Sequence, residues 1–191
     1  MLKKLLVACL GTAVVLAAGV AFAGVPCAGT SECNVSTNAT LCTSTEGAFC
    51  PAGDGDMVTV DVVIRDCYGN TLSGRDVTIT PPGGNFFFCG GSQVVTTDAL
   101  GEASATFDEF GGCGFAQFSL TSEGVTVQGN LIYSASFDND EPANGAVSAT
   151  DFARFASHYL TTNPCSDYDC SGGVTASDFA RFASHYLHQC P

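Results

Sequence analysis

The sequence predicts a mainly β protein, a β-sandwich followed by a small α-helical module of paired loop–helix units. Three observations carry this. From Met57 onward, β-branched and polar residues alternate in short runs separated by Gly-rich turns, the period-two pattern of half-buried strands. Near the C-terminus one stretch is written twice: Val147 to Leu160 reads VSATDFARFASHYL, and Val174 to Leu187 reads VTASDFARFASHYL, 27 residues later. Each copy follows a segment rich in Asp, Asn, Ser and Gly.

Residues 1–23 have the form of a secretory signal. Lys3 and Lys4 give a positive start, Leu5 to Val20 are almost entirely apolar, and Ala21-Phe22-Ala23 is a small-x-small cleavage site. Leu6-Val7-Ala8-Cys9 also fits a lipobox, but it would leave only four apolar residues before the cysteine, too few for a signal core. No other run is long enough to cross a bilayer, so the expectation is a secreted or cell-surface bacterial protein with no membrane insertion after cleavage. Without the two lysines, only Arg65, Arg75, Arg154 and Arg181 face 19 acidic residues. That balance disfavours nucleic acid, which needs clustered cations, and suits a binder of divalent cations. Of 11 cysteines, ten remain once Cys9 is set aside, an even number that reads as a disulfide framework in an exported chain. Paired Cys-x-x-Cys or Cys/His spacings of a zinc module are absent.

Residues 24–55 carry Cys27, Cys33, Cys42 and Cys50 among small polar residues, without apolar periodicity. They read as a stapled N-terminal segment able to add a first strand to the next domain. Asn34-Val35-Ser36 and Asn38-Ala39-Thr40 match glycosylation sequons, which Ser/Thr-rich loops produce by chance. Strands are expected over 57–65, 77–80, 86–88, 94–97, 103–107, 115–120, 125–127 and 131–136, an all-β sandwich of seven or eight strands across 56–136. Two turn patterns sharpen this reading: Val62-x-x-x-Asp66-x-x-Gly69-Asn70 with Gly74 and Val77, and Thr96-Thr97-Asp98-x-x-Gly101-x-Ala103-x-Ala105. With them the segment resembles the bacterial immunoglobulin-like domains of the invasin and intimin type, which implies a spacer or presenter on an exported protein. No nucleophile-and-base pair occurs here, and Asp98, Glu102, Asp108 and Glu109 read as solvated turn acids rather than a glycosidase pair. The expectation is therefore a protein that is not an enzyme.

Residues 137–191 hold the repeat and its chemistry. Counting Asp167 as position 1 puts Asp169 at 3, Ser171 at 5, Gly172 at 6, Gly173 at 7, Thr175 at 9 and Asp178 at 12. Calcium takes six to eight oxygens, and a twelve-residue loop supplies them from these alternating positions, position 7 through its carbonyl. Gly172 permits the sharp turn, and Val174 at position 8 should point inward. Counting back from Asp151, the first loop offers Asp140, Asn144, Ala146 through its carbonyl, Ser148 and Asp151, with Pro142 at a ligand position it cannot fill. The alternative register has two extra residues and begins with Asp138 and Asp140. Ser148-x-x-Asp151 and Thr175-x-x-Asp178 resemble capping boxes. Phe152, Phe155, Ala156 and Tyr159, repeated as Phe179, Phe182, Ala183 and Tyr186, form an apolar stripe at helical spacing on which two helices of about three turns can pack. Pro164 is expected to end the first helix.

The loop-then-helix order, the Asp at position 12 and the duplication resemble a dockerin, a calcium-binding module that docks exported proteins onto cohesin domains. The resemblance covers about residues 137–189. It implies a calcium cofactor, pseudo-twofold symmetry, a cohesin-type partner that can take either repeat, and a place in a polysaccharide-degrading, cellulosome-like assembly. It places partner contacts at Ala149, Thr150, Arg154 and His158, and at Ala176, Ser177, Arg181 and His185; alone, these polar residues read equally as a solvated helix face. The histidines show no second ligand arrangement in the sequence for a zinc site. Cys165, Cys170 and Cys190 depart from the dockerin pattern, and a bridge between two of them would clamp the module. Two other functions compete. One is a structural or adhesive surface protein that uses calcium only for stability. The other is carbohydrate binding by the sandwich, which the absence of Trp disfavours.

Overall fold

Alternation decides which side of each strand faces inward. The computed structural model describes residues 24–39 and 42–191; the expected signal segment and its lipobox alternative lie outside them. Ten strands form: β1 (Glu32–Thr37), β2 (Glu46–Gly47), β3 (Val58–Val63), β4 (Asp76–Thr80), β5 (Phe87–Phe88), β6 (Gln93–Thr96), β7 (Glu102–Phe107), β8 (Phe110–Gly111), β9 (Cys113–Ser122) and β10 (Val125–Ala135). In β3, Val58, Val60 and Val62 are buried while Asp61 is exposed. Val77 and Ile79 of β4, with Ala116, Phe118 and Leu120 of β9, face them across the interior. The sheets are β1-β3-β7 and β2-β10-β9-β4-β6, with β5-β8 as a separate pair. All neighbours are antiparallel except β2 and β10. Burial of the apolar faces of both sheets is the main stabilising contribution.

The turn motifs act through hydrogen bonds. Asp66 Oδ1 accepts the N–H groups of Tyr68 and Asn70, each at 2.9 Å, and Asp98 Oδ1 accepts those of Leu100 and Glu102 at 2.8 and 3.0 Å. Buried Thr97 donates its hydroxyl to Leu72 O at 2.7 Å and accepts Arg75 N–H at 2.9 Å. Gly101, at φ +76°, lies so close to Ile64 O that a β-carbon would sit 3.0 Å from it.

The segment 24–55 is woven into the sandwich. β1 pairs with β3 along its whole length, and β2 extends the other sheet. The two stretches expected at 125–127 and 131–136 are one strand with a bulge between Gln128 and Leu131. The bulge sends the Asn130 amide across to β1, where Oδ1 accepts Val35 N–H at 2.6 Å and Nδ2 donates to Val35 O at 2.8 Å. Asn130 thus replaces a missing strand neighbour and bridges the two sheets. Gly129 allows the approach, since a β-carbon there would lie 2.7 Å from Val35 Cγ2.

The module adds helices α1 (Ala149–His158) and α2 (Ala176–His185). It does not own its core. Phe155, Phe182, Tyr168, Val147 and Val174 pack in one cluster with Ala48, Cys50, Ala135 and Phe137. Four disulfides form: Cys27–Cys67, Cys42–Cys170, Cys89–Cys190 and Cys113–Cys165. The expected clamp within the module is not made, because each of its three cysteines reaches back to the sandwich or the N-terminal segment. Cys33 and Cys50 are unpaired and buried. No helix among the described residues is long and apolar enough to cross a membrane.

Replacing Asn130 by Ala strands the Val35 N–H and C=O inside the sandwich. The expected cost is about 1–3 kcal/mol for the orphaned groups, read as a lower denaturant midpoint at unchanged m-value. An unchanged midpoint would rule out the bridging role.

Candidate functional site

Each acidic loop closes on the N-terminus of the helix that follows it. Asp151 and Asp178 are fully buried and stand at the third helical position of capping boxes whose caps are Ser148 and Thr175. Asp151 Oδ2 accepts Ser148 N–H at 2.8 Å, while Oδ1 accepts the N–H groups of Asn139 and Asp140 at 2.8 and 2.9 Å. Asp178 repeats this, with Oδ2 on Thr175 N–H at 2.7 Å and Oδ1 on Asp169 N–H at 3.1 Å. One carboxylate therefore starts the helix, ties back the loop entrance and interacts favourably with the helix dipole.

The loops correspond in most of their hydrogen bonds once two residues are inserted in the first. Asp167 Oδ2 accepts Gly172 N–H at 2.8 Å, and Asp138 Oδ2 accepts Gly145 N–H at 2.7 Å. Asp169 Oδ2 accepts the Ser177 hydroxyl at 2.6 Å, and Asp140 Oδ2 accepts that of Thr150 at 3.2 Å. Gly145 and Gly172 adopt φ of +84° and +90°, the conformation that turn needs. Asp138, not Asp140, thus stands where Asp167 stands. Pro142 falls in the two-residue insertion, so it occupies no ligand position. Two matching triads result, Asp138–Asp140–Asp151 and Asp167–Asp169–Asp178, with one carboxylate oxygen from each member within 4.8 Å of the others. Asn144 and Ser171 hold equivalent places, with Asn144 Nδ2 donating to Asp140 Oδ2 at 2.7 Å and Ser171 N–H donating to Asp169 Oδ1 at 3.1 Å. The Gly173 carbonyl accepts the Ser171 hydroxyl at 3.3 Å, and Ala146, its counterpart, is bridged to Gln189. Burial, reinforced by the charges of Asp151 and Asp140, pushes Asp138 up to about 7 against the pull of its N–H donors. Burial raises Asp167 as well.

The two repeats brace each other. Leu160 N–H donates to Val174 O at 2.9 Å and Val174 N–H to Thr161 O at 2.8 Å. In the mirrored contact Leu187 N–H donates to Val147 O at 2.9 Å and Val147 N–H to His188 O at 2.7 Å. Both valines are buried. Asn139 and Tyr168, each second in its loop, meet at the centre, where Asn139 Nδ2 donates to the Tyr168 hydroxyl at 3.0 Å; nothing in their sequence neighbourhoods marks that contact. The bracing sits at the helix ends. Both helices end at the histidine, and Leu160 and Leu187 follow at φ +62° and +70°. A proline lies six residues beyond each helix end, Pro164 after the first and Pro191 at the equivalent place after the second, and the cross-repeat bonds are made just past each helix end.

The apolar stripe is only half used. Phe155 and Phe182 are buried against each other with ring centroids 5.3 Å apart, but Phe152, Tyr159, Phe179 and Tyr186 are 40–45% exposed. Ala149 and Ala176 are exposed, as are Thr150 and Ser177. A cleft of about 300 Å³ opens between the helices, lined by Phe152, Phe179, Phe182, Ala183 and Tyr186. The residues expected on a free polar face are instead engaged within the chain. Arg154 pairs with Glu141, His158 Nδ1 meets Ser166 Oγ at 2.9 Å, Arg181 donates to Tyr168 O, and His185 Nδ1 meets Asp54 Oδ1 at 3.1 Å. This side of each helix thus faces its own loop, the entrance of the other loop or the N-terminal segment.

No protein-family model matches the chain, and no curated protein matches it. Among solved structures it is similar to the D00-D0 domain of intimin, at 14% identity over 55% of this chain and 47% of that one, with a TM-score of 0.39. It is also similar to invasin, a bacterial integrin-binding protein, at 18% identity over 54% of this chain and 19% of that one, again with a TM-score of 0.39. The chain thus spans less than half the length of either structure.

In metal-free protein Asp138 holds its proton to about pH 7 when folded, against about 3.9 for an unfolded aspartate. The native state binds more protons across that window, so this carboxyl lowers stability as pH rises from about 4 to 7. Asp138→Asn removes the loss. In chelator, the thermal midpoint of Asp138→Asn relative to the parent should climb between pH 5 and pH 8; parallel profiles would contradict the assignment.

Proposed function

We propose that this is an exported, non-catalytic protein whose C-terminal repeat binds calcium and presents its paired helices to a protein partner. The pair of matched carboxylate triads supports this most directly. Three carboxyl groups converge in each loop, and the donors are all oxygen, the set that suits calcium. In the first loop, Asp140 Oδ1 is buried without a hydrogen-bond partner, an orphaned acceptor that a cation would satisfy. Asp167, Asp169, Ser171, Asp178 and the Gly173 carbonyl would hold one ion, with Thr175 beside them. Asp138, Asp140, Asn144, Asp151 and the Ala146 carbonyl would hold the other, beside Ser148. Bound calcium supplies the positive charge that lets the buried carboxylates stay ionised together. The chain's own contribution is to aim the carboxylates through the N–H bonds of Gly145 and Gly172 and to couple each loop to a helix through Asp151 or Asp178.

The partner reading rests on the dockerin resemblance together with the exposed helix face. Ala149 and Thr150 with Phe152, and Ala176 and Ser177 with Phe179, form two similar patches on one side of the module, as a cohesin-type partner able to dock in either orientation would require. Arg154, His158, Arg181 and His185 would then position the helices rather than touch the partner. The shared core and three disulfides favour a second reading, in which calcium only stabilises the rigid end of a surface protein.

Two measurements separate these readings. Calcium added to chelator-treated full-length protein should stabilise it by about 2.7 kcal/mol per site at a hundredfold excess over the dissociation constant, and Asp178→Asn should remove the contribution of the second loop. An unchanged midpoint with calcium would remove the metal from both readings. Immobilised cohesin-type domains should retain the calcium-loaded chain and release it on chelation, and the double variant Phe152→Asp, Phe179→Asp should abolish retention while keeping the calcium shift. Calcium stabilisation without retention leaves the structural reading.

A further inference from the structure

We propose that Cys50, Asp54, His185 and His188 form a site for a zinc-class transition-metal ion, distinct from the two all-oxygen loops and spanning the junction between the N-terminal segment and helix α2. One ligand atom from each residue lies within 4.8 Å of the others. Cys50 Sγ is 3.6 Å from His188 Nδ1, Asp54 Oδ1 is 3.1 Å from His185 Nδ1, and Asp54 Oδ2 is 2.9 Å from His188 Nδ1. A tetrahedral ion about 2.3 Å from sulfur and about 2.0–2.1 Å from nitrogen and oxygen spaces its ligands by about 3.3–3.6 Å. The Cys50–His188 pair already stands at that separation, and the remaining ligand atoms, all within 4.8 Å of one another, need only small side-chain rotations to reach it.

The backbone around them is fixed from both sides. Cys50 is held by a bridge to Glu109. The turn closed by Gly53 N–H on Cys50 O, at 3.0 Å, brings Asp54 back beneath the sulfur. His185 is the last residue of α2, and His188 N–H donates to its carbonyl at 3.0 Å. Two residues on, the Cys89–Cys190 disulfide anchors the chain. The His185 ring is stacked on Phe137 at 4.0 Å between centroids and 12° between planes, which sets its orientation as outer-shell contacts do in metal sites.

The donor set selects the ion. A thiolate and two imidazoles favour zinc-class ions over calcium, and thiolate plus carboxylate balance a divalent charge. Binding releases the Cys50 proton to solvent. The role also gives a ligand function to Cys50, one of the two buried unpaired cysteines among the described residues. Entry is open on one side, where the half-exposed Asp54 borders a cleft of about 310 Å³ shared with Asp56, Phe137, Arg181 and His185.

The test uses cobalt(II) as a spectroscopic probe of the full chain, stripped of metal and held in excess calcium so that the loops do not compete. One equivalent should give the visible bands of a tetrahedral ion and a near-ultraviolet sulfur-to-cobalt charge-transfer band, both displaced by zinc. Cys50→Ser should abolish the charge-transfer band, and His188→Gln should weaken binding at least about 100-fold, beyond the effect of outer-shell changes. The parent spectrum and His188→Gln carry the test if Cys50→Ser fails to fold, as judged by far-ultraviolet circular dichroism. Absence of the charge-transfer band in the parent, or its survival in folded Cys50→Ser, overturns the site and leaves a hydrogen-bonded cluster of Asp54 with two histidines.

Discussion

The C-terminal third of the molecule depends on two buried carboxylates, Asp151 and Asp178. Each is fully inaccessible, and each spends its oxygens on N–H groups from both ends of its own loop. An ionised group in that setting is costly unless its lone pairs are filled, which explains why the cap, the loop entrance and the helix start form together. The same demand fixes the directions of the remaining acids. Asp138 and Asp167 hang from the glycine turn, and Asp140 and Asp169 from the hydroxyls of Thr150 and Ser177. The loops are therefore shaped by hydrogen bonds within the chain, and the convergence of charge follows from that shape.

A second constraint acts on the whole molecule. The helical module buries Ala135, Ala48 and Cys50 in its core, residues that belong to the end of the sandwich and to the N-terminal segment. Disulfides spanning 128, 101 and 52 residues then fasten it in place. Closing such long loops restricts the unfolded chain by an amount that grows only slowly with length, about 4 kcal/mol for one loop of this size in the chain-entropy model. The orientation of the helix pair relative to the sheets is set by packing as well as by covalent links. An independent bead on a flexible tether would show neither.

Much of this was legible in the residues. Period two located β3, β4, β6, β7 and β9 within two residues at each end but split β10 at its bulge, and Asp66, Thr97, Asp98 and Gly101 marked the turns. Asp167 to Asp178 formed a recognisable loop because its hydrogen bonds are local. What the sequence hid depends on contacts distant along the chain. The register of the first loop is decided by Gly145 and Asp151 meeting Asp138, and the insertion at Glu141-Pro142-Ala143 masks the match. His185 turns to Asp54 of the N-terminal segment, while Arg154, His158 and Arg181 turn to Glu141, Ser166 and Tyr168. Disulfide partners, the Asn130 bridge and the meeting of Cys50 with His188 join positions from 40 to 138 apart; no periodicity or spacing encodes such pairings.

The reciprocal bonds of Leu160 with Val174 and of Leu187 with Val147 carry a consequence for how such a module can grow. Each loop offers one short backbone bridge, and the helix exit of the other copy takes it, so two copies use up all the bridges between them. A stacked array behaves otherwise, since every unit there exposes a face for the next. Here a single copy would leave all of its bridge groups open, and a third would find none to join. The unit that can be duplicated, moved between proteins or lost without penalty is the pair, and copy number in relatives built on this plan should change by two.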